Sequence, residues 1–200
     1  MEYKLPEKLI NNPMKMGVFL RSQAYHKVIR FIQKCSGQLV NTTMETPLEE
    51  TPAVLMIVDL LERLDCLIDE TPPLPVEPGA LRFGNKAYVE WAEKKDALII
   101  EQLPLILAQL DLSAAAVEAG LYLCESFGNS TRIDYGTGHE TNFICFLLVL
   151  DEIGYFGEAA QKEIILAIFQ RYLLLCRRLQ VTVVKIIYGR MELNVHYASN

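Results

Sequence analysis

Helical periodicity interrupted by proline is the feature that most constrains how this chain can fold. Between Thr51 and Pro72, apolar residues recur at the 3.6-residue spacing of a helix that is buried along one face. These residues are Val54, Ile57, Val58, Leu61, Leu64 and Ile68. Thr51-Pro52 is typical of an N-cap followed by proline in the first turn, and Pro72 must end the helix. The pattern therefore predicts an amphipathic helix that packs against a core.

Similar signals predict helices along most of the chain. Asn12-Pro13 repeats the pairing of a cap residue with proline. Pro104 is expected to break or kink one helix, and Gly128 is positioned to end another. The predicted helical segments are 14–35, 85–100, 111–127, 139–150 and 158–180, and the predicted loops are 38–50 and the proline-rich 70–84. The fold class predicted from the pattern is all-α.

The last residues differ from this pattern. Residues 181–188 are β-branched and aromatic, which favours a strand or an aggregation-prone segment. A single strand at the end of a helical chain has no evident pairing partner.

Composition limits the classes of partner. Hydrophobic residues make up 51% of the 200 residues, so the chain can bury a substantial core. The formal net charge is −6 and no basic stripe is present, which argues against nucleic acid and anionic membranes as partners. The longest apolar run, Phe143–Leu150, is far shorter than the roughly 20 residues of a membrane span. Because the N-terminus also lacks the apolar region of a signal peptide, we expect a soluble protein of the cytoplasm, with the nucleus as a second compartment.

The cysteine pattern indicates reduced thiols. The five cysteines are widely spaced and form no Cys-x-x-Cys pair; they are Cys35, Cys66, Cys124, Cys145 and Cys176. Each lies in an apolar, helix-like segment, which predicts core thiols rather than a disulfide framework or a zinc site. No residue is assigned as a metal ligand.

Polar chemistry is concentrated between Glu125 and Glu140, in the sequence Glu-Ser-Phe-Gly-Asn-Ser-Thr-Arg-Ile-Asp-Tyr-Gly-Thr-Gly-His-Glu. If a helix begins near His139, the preceding amides lie at its positive end, where they suit a phosphate group. Arg132 could add a bidentate contact to a phosphoryl group or carboxylate. Asp134, Glu140 or Glu125 could hold Mg²⁺ through oxygen and water.

This loop does not match the common nucleotide or zinc motifs. It contains no lysine, so it is not a Walker A loop, and no strand precedes it as in a dinucleotide-binding fold. His139-Glu140 lacks the second histidine of a zinc protease because position 143 is Phe. From the residues alone, a ligand-binding loop and a capped, hydrogen-bonded connection between helices are equally open.

Residues 125–140 resemble the signature of the phosphotyrosyl phosphatase activator family. Further blocks that resemble the family are Leu20–Tyr25, Arg63–Pro73 and Arg82–Tyr88 with Trp91. The resemblance extends from about Asn11 to Gln180.

The resemblance implies an all-α fold in which core, lid and linker parts surround a deep cleft. It also implies that ATP and Mg²⁺ bind in the cleft and that the protein contacts the catalytic and scaffold subunits of protein phosphatase type 2A. Peptidyl-prolyl cis-trans isomerase activity is a further implication, for which no catalytic residue can be named. The implied cleft residues are Arg132, Asp134, Tyr135, Gly136, Thr137, Gly138, His139 and Glu140, with Arg82, Phe83 and Asn85 on the facing lid.

The implied organisation is a helical activator-type domain at 1–180, with a lid-like segment at about 70–110, and a divergent tail at 181–200. Because the family pattern continues beyond the last matching block, we expect the fold to be incomplete at its C-terminus. Three hypotheses remain open: an activator with isomerase activity, a non-catalytic fragment that binds the phosphatase, and a truncated isoform that lacks activity or a stable fold. A nucleotide-hydrolysing enzyme is a weaker alternative, since only His139 and Glu140 could serve as a general base.

Overall fold

The structure, a computed structural model, describes residues 3–43, 46–48, 51–75, 85–157 and 161–182. Within these ranges all regular elements are helical, apart from one isolated β-bridge, so the all-α prediction is confirmed. The helices are α1 (Pro13–Phe19), α2 (Gln23–Gln38), α3 (Pro52–Asp69), α4 (Ala87–Ala108), α5 (Ala116–Cys124), α6 (Thr137–Glu152), α7 (Gln161–Glu163) and α8 (Gln170–Thr182). A 3₁₀ turn, Ser113–Ala115, precedes α5, and a π-helical turn, Ile164–Phe169, joins α7 to α8.

Helix α3 forms as its periodicity predicts. The Thr51 hydroxyl accepts a hydrogen bond from the Val54 amide, and proline occupies the first turn. The buried face consists of Val54, Ile57, Leu60, Leu61, Leu64 and Ile68. This helix therefore combines a capped start with one continuous apolar face.

The prediction of one helix over 14–35 is wrong. The chain forms α1 and then α2, with a break between Phe19 and Gln23. The break has a local cause, since the Ser22 side chain accepts a hydrogen bond from the Tyr25 amide and so caps a new helix. None of the α1 residues is buried, so packing does not hold the two segments in line.

Helix α4 does not break at Pro104, although the sequence favours a break or kink there. It continues to Ala108, and Ile99, Leu103 and Leu107 along one face are fully buried. Proline has no amide hydrogen, so the Ile100 carbonyl lacks its usual donor within the helix. Burial of this face offsets that lost hydrogen bond.

The segments before and after residues 125–140, which we call the signature loop, also differ from prediction. The predicted 111–127 helix is a 3₁₀ turn followed by α5, which ends at Cys124. Gly128 does not end α5 as predicted, because the C-cap is Glu125, three residues earlier; its φ of +116° belongs to the loop that follows. Of the predicted strand, Val181 and Thr182 belong to α8, and 183–188 lie outside the described residues.

The five cysteines are free thiols, as predicted. Cys35 and Cys176 are buried, and Cys124 and Cys145 are partly buried. Cys66 is exposed on α3, so its placement as a core thiol was wrong. Of the described helices, none combines the length and the hydropathy that a membrane crossing requires.

An aromatic ladder connects three helices beneath the signature loop. Tyr88 stacks on Trp91 within α4 at 6.0 Å between ring centroids, and Trp91 meets the edge of Phe127 at 5.9 Å. Phe127 contacts Tyr172 of α8, which stacks on Phe143 of α6 at 3.8 Å. These contacts tie α4, α6 and α8 to the segment that follows α5.

Four consecutive backbone carbonyls at the C-terminal end of α5 form what we call the carbonyl row. They belong to residue 124, the last residue of the helix, and to residues 125–127. The α5 helix ends here, so these carbonyls have no partners in a continuing helix. Ser126 and Phe127 are fully buried, and a buried carbonyl without a donor costs free energy comparable to a lost hydrogen bond. Each carbonyl therefore requires a donor from elsewhere in the fold.

Side chains from three helices supply these donors. Lys95 of α4 donates to residue 124 at 2.5 Å, and Tyr88 of α4 donates to residue 127 at 2.9 Å. His139 and Asn142 of α6 share the carbonyl of residue 125, at 2.7 and 3.1 Å. Tyr172 of α8 donates to residue 126 at 2.7 Å. The carbonyl row thus fixes α4, α6 and α8 around the end of α5.

Removing one donor tests this arrangement. Tyr172→Phe leaves the buried Ser126 carbonyl unpaired, and we expect a loss of about 1–3 kcal/mol in the free energy of unfolding. Urea denaturation followed by circular dichroism measures this loss. Tyr122→Phe is the matched control, since the Tyr122 hydroxyl makes no hydrogen bond to a described residue. Equal effects of the two substitutions would contradict the role of the carbonyl row.

Gly128 provides a second test. A Cβ at this position would clash with the Tyr88 hydroxyl and lie 2.8 Å from the Asp134 carbonyl oxygen, in addition to the strain at φ +116°. We expect Gly128→Ala to lower the free energy of unfolding by at least about 2 kcal/mol. Gly154→Ala is the control, because Gly154 has a φ of +78° but open space around it. A loss no greater than that of the control would show that the close approach is not needed.

Candidate functional site

The signature loop is a tight turn between α5 and α6. The Asn129 amide donates to the Asp134 carbonyl at 2.9 Å, and the Ile133 amide donates to the Asn129 carbonyl at 2.7 Å. The Asn129 side chain accepts from the Arg132 amide at 2.8 Å. Ile133 is buried with a φ of +51° and anchors the turn. The turn therefore presents Arg132 and Asp134 from a fixed backbone.

Arg132 and Asp134 form a bidentate ion pair. Arg132 Nε lies 2.6 Å from Asp134 Oδ2, and Nη2 lies 3.2 Å from Oδ1. Hydrogen bonding from the guanidinium lowers the pKa of Asp134, and the same contact raises the pKa of Arg132. Both side chains are exposed, and the guanidinium keeps further N–H groups for a second acceptor. Asp134 is consequently ionised at neutral pH.

The N-terminus of α6 is exposed and lacks a side-chain cap. Gly136 is the N-cap residue, in an extended conformation with φ −153° and ψ 171°. A Cβ at Gly136 or at Gly138 would meet no atom within 4 Å. Thr137, the first residue of the helix, is also exposed. The amides at this positive helix end are therefore accessible to a ligand.

Tyr135 and His139 form one wall of the site. Their rings stack at 5.5 Å between centroids. His139 Nδ1 lies 2.7 Å from the Glu125 carbonyl, and because a carbonyl can only accept, Nδ1 carries the proton. In the neutral ring, Nε2 is then an acceptor. His139 thus supports the carbonyl row and retains one ring nitrogen for other contacts.

Tyr135 also connects the site to a second cavity. Its hydroxyl lies 3.0 Å from the Tyr172 hydroxyl and 3.4 Å from Glu140 Oε1. Since Tyr172 donates to the Ser126 carbonyl, its oxygen accepts from Tyr135. Burial raises the pKa of Tyr135, so this phenol remains protonated. Glu140 lines the second cavity, of about 320 Å³, rather than the space beside Arg132.

One open cavity of about 400 Å³ gathers most of the predicted cleft residues. Its lining consists of Arg132, Asp134, Tyr135, Gly136, Gly138, His139 and Asn142. Glu140 and Thr137, the other two predicted residues, lie in the same first turn of α6 but outside this lining. We call this cavity the α6 pocket.

Of the three predicted lid residues, Asn85 lies within the described ranges, and it does not line the α6 pocket. The Asn85 side chain is buried and makes three hydrogen bonds, accepting from the Leu74 and Ala87 amides at 3.1 and 3.0 Å and donating to the Leu74 carbonyl at 2.9 Å. These bonds tie the connector to the start of α4, whose N-cap residue is Lys86 rather than Asn85. Arg82 and Phe83 lie outside the described residues. The lid role of the 70–110 segment stays a prediction.

Several residues that support the site carried no recognisable local signal. Lys95, Asn142 and Tyr172 hold the carbonyl row, and Asn142 also lines the α6 pocket. Each is an ordinary residue within a helical pattern. Lys95 and Tyr172 lie 29 and 46 residues from the carbonyls they serve, so only the three-dimensional fold assigns their role.

Comparison with known proteins gives concordant matches. The model of the family described as phosphotyrosyl phosphate activator (PTPA) protein matches residues 6–184. The serine/threonine-protein phosphatase 2A activator of Drosophila melanogaster is 39% identical over 181 residues, which are 90% of this chain and 44% of that protein. Activator 1 of Schizosaccharomyces pombe is 37% identical over 90% of this chain and 54% of its own length. The chain thus spans about half the length of these curated relatives.

A solved structure shows the same fold. The crystal structure of the PP2A phosphatase activator Ypa1 is similar at a TM-score of 0.76 and 31% sequence identity, over 90% of this chain and 57% of that chain. The sequence match and the shared fold cover nearly the same extent. This chain belongs to the phosphotyrosyl phosphate activator (PTPA) family.

Proposed function

We propose that this chain is an activator module for protein phosphatase type 2A that binds ATP with Mg²⁺ in the α6 pocket. The activator role is supported by relatives whose names describe them as phosphatase 2A activators. One observation carries the nucleotide site: the uncapped N-terminus of α6 shares a cavity with an arginine and an ionised aspartate.

The phosphate groups would lie against the first turn of α6. Free amides around Thr137 and Gly138 can donate to phosphate oxygens, and the helix dipole favours negative charge there. Arg132 keeps donors beyond those that hold Asp134, so it can contact a phosphate without losing the ion pair. The open space at both glycines permits close approach to the backbone.

Mg²⁺ would arrive with the nucleotide. Among the described residues, His, Cys, Asp and Glu side chains form no group of three that could hold a metal ion. Mg²⁺ characteristically keeps several waters and uses one or two carboxylates together with substrate phosphates. Asp134 fits that role because its carboxylate belongs to the lining of the α6 pocket. The ion would supply charge neutralisation between this carboxylate and the phosphates.

Activation would follow from differential binding. The proposed partners are the catalytic and scaffold subunits of the phosphatase, and a module that binds one conformation of them more tightly shifts the population toward it. ATP would contribute to activation if it binds the module more tightly when the module is bound to the phosphatase subunits. The α6 pocket is open to solvent on one side, which leaves Arg132 and Asp134 accessible to such a partner.

We also propose that the chain has peptidyl-prolyl cis-trans isomerase activity. Amide resonance sets a barrier of about 18–20 kcal/mol, and a catalyst lowers it by binding the twisted amide more tightly than either planar isomer. This requires an apolar site for the proline ring and a hydrogen-bond donor, but no nucleophile. No described residue is assigned as catalytic for this reaction.

A second candidate is a non-catalytic fragment that binds the phosphatase without activating it. The matches cover only 44–54% of the relatives named above, so the activity of those whole proteins does not carry over directly to this chain. Such a fragment would retain part of a binding surface and compete with a longer activator.

A glycine substitution tests the nucleotide site. Gly138→Val fills the space through which a phosphate would approach the α6 amides, and we expect the affinity for ATP with Mg²⁺ to fall about tenfold or more, equivalent to about 1.4 kcal/mol. Isothermal titration calorimetry measures the affinity. Gly37→Val is the matched control, because Gly37 also has no atom within 4 Å of its Cβ position but lies in α2. Unchanged affinity in Gly138→Val, or in Arg132→Ala, would refute the site.

Phosphatase assays separate the two candidate functions. We expect the chain to bind the purified catalytic and scaffold subunits and to raise phosphatase activity when ATP and Mg²⁺ are present. Omitting Mg²⁺ serves as the control and should remove the gain. Co-purification without any gain in activity would support the binding fragment and contradict the activator proposal.

A further inference from the structure

The N-terminal residues 3–8, which we call the strap, lie across α5 without forming a helix. Tyr3 lines a cavity on one side of α5 together with Tyr122, whereas Leu5 lines a cavity on the other side. Lys8 Nζ lies 2.9 Å from Glu125 Oε2, just beyond the end of α5. The strap therefore crosses α5 and follows it toward the signature loop.

The cavity that Leu5 enters is apolar and lies between α4 and α5. It has a volume of about 350 Å³, and it is lined by Leu5, Ile99, Ile100, Leu103, Pro104, Ser113, Ala116, Val117, Gly120, Leu121 and Cys124. Leu5 fills it only in part, since 63% of this residue stays exposed. Pro104, which has no amide hydrogen to donate to the Ile100 carbonyl, lines this cavity together with Ile100.

A second cavity of about 260 Å³ continues from the first. The two share Ile100, Leu121 and Cys124, and the second adds Glu125 and Asn129 of the signature loop. We call the pair the α4–α5 groove. It is apolar at the end nearest the 3₁₀ turn and polar at the end nearest the signature loop, where Lys95 and Asp96 pair with each other and Glu125 is the further carboxylate.

We propose that the α4–α5 groove binds an extended segment of a partner protein in which an aliphatic residue is followed three positions later by a lysine or arginine. The strap supplies the template, since Leu5 and Lys8 have this spacing and contact the apolar cavity and Glu125 respectively. Three residues of extended chain span about 10 Å. The strap is then an internal occupant that a partner displaces.

The contacts of the strap suit displacement. The Lys8 side chain is 80% exposed and that of Glu125 is 34% exposed, so a competing cation can reach this ion pair from solvent. Leu5 is also largely exposed, so its own burial is modest. A partner that fills the apolar cavity fully would gain contacts that the strap lacks.

The competition can be measured with a labelled peptide. The probe is a fluorescent peptide with the sequence of residues 3–12, Tyr-Lys-Leu-Pro-Glu-Lys-Leu-Ile-Asn-Asn. In the full chain, Leu5→Ala with Lys8→Ala should release the strap, and we expect the peptide to bind this variant roughly tenfold more tightly than the wild-type chain. Fluorescence polarisation gives both affinities, independently of nucleotide and phosphatase.

Two controls identify the groove. Val117→Glu places a charge in the apolar cavity at a residue that is 52% exposed, so the variant should fold yet lose the peptide. Glu125→Lys, added to the strap variant, should weaken binding of the peptide. A peptide that carries Lys8→Glu should restore the affinity. Thermal melts verify that each variant is folded.

Several outcomes would overturn the proposal. Absence of binding, equal affinity for the wild-type and strap variants, or unchanged affinity in Val117→Glu would each do so. A wild-type dimer, seen by size-exclusion chromatography and lost in the strap variant, would instead assign the groove to the strap of a second copy.

Discussion

The end of α5 is the constraint on which the rest of this structure depends. Where the helix stops, buried carbonyls need donors, and the chain supplies them from three other helices. An unmade hydrogen bond in a buried position is expensive, so the donors cannot move far without loss of stability. Helices far apart in sequence are thereby fixed around a single short segment.

This constraint also shapes the surface. His139 and Asn142 reach the Glu125 carbonyl from the first turns of α6, so the same contacts that satisfy the carbonyl row set the position of that helix. The exposed N-terminus of α6 and the Arg132–Asp134 pair both line the α6 pocket. A stabilising network and a candidate ligand site therefore share residues, and a substitution in one is expected to affect the other.

Local sequence patterns predict some of this architecture. The period of α3 and its cap at Thr51 are sufficient to place that helix. The start of α2 depends on one hydrogen bond from the Tyr25 amide to Ser22, which competes with a continuous helix. Long-range contacts cannot be read in this way. Tyr172 has the appearance of a core aromatic residue until the fold brings it to the Ser126 carbonyl.

Thermal unfolding with and without ATP and Mg²⁺ tests whether the described helices form a pocket that is competent to bind both. At about 100 times the dissociation constant, a bound ligand adds about 2.7 kcal/mol to the free energy of unfolding. We expect a cooperative transition whose midpoint rises when both ligands are present. A cooperative transition that does not move at saturating ATP and Mg²⁺ would contradict the proposed nucleotide site.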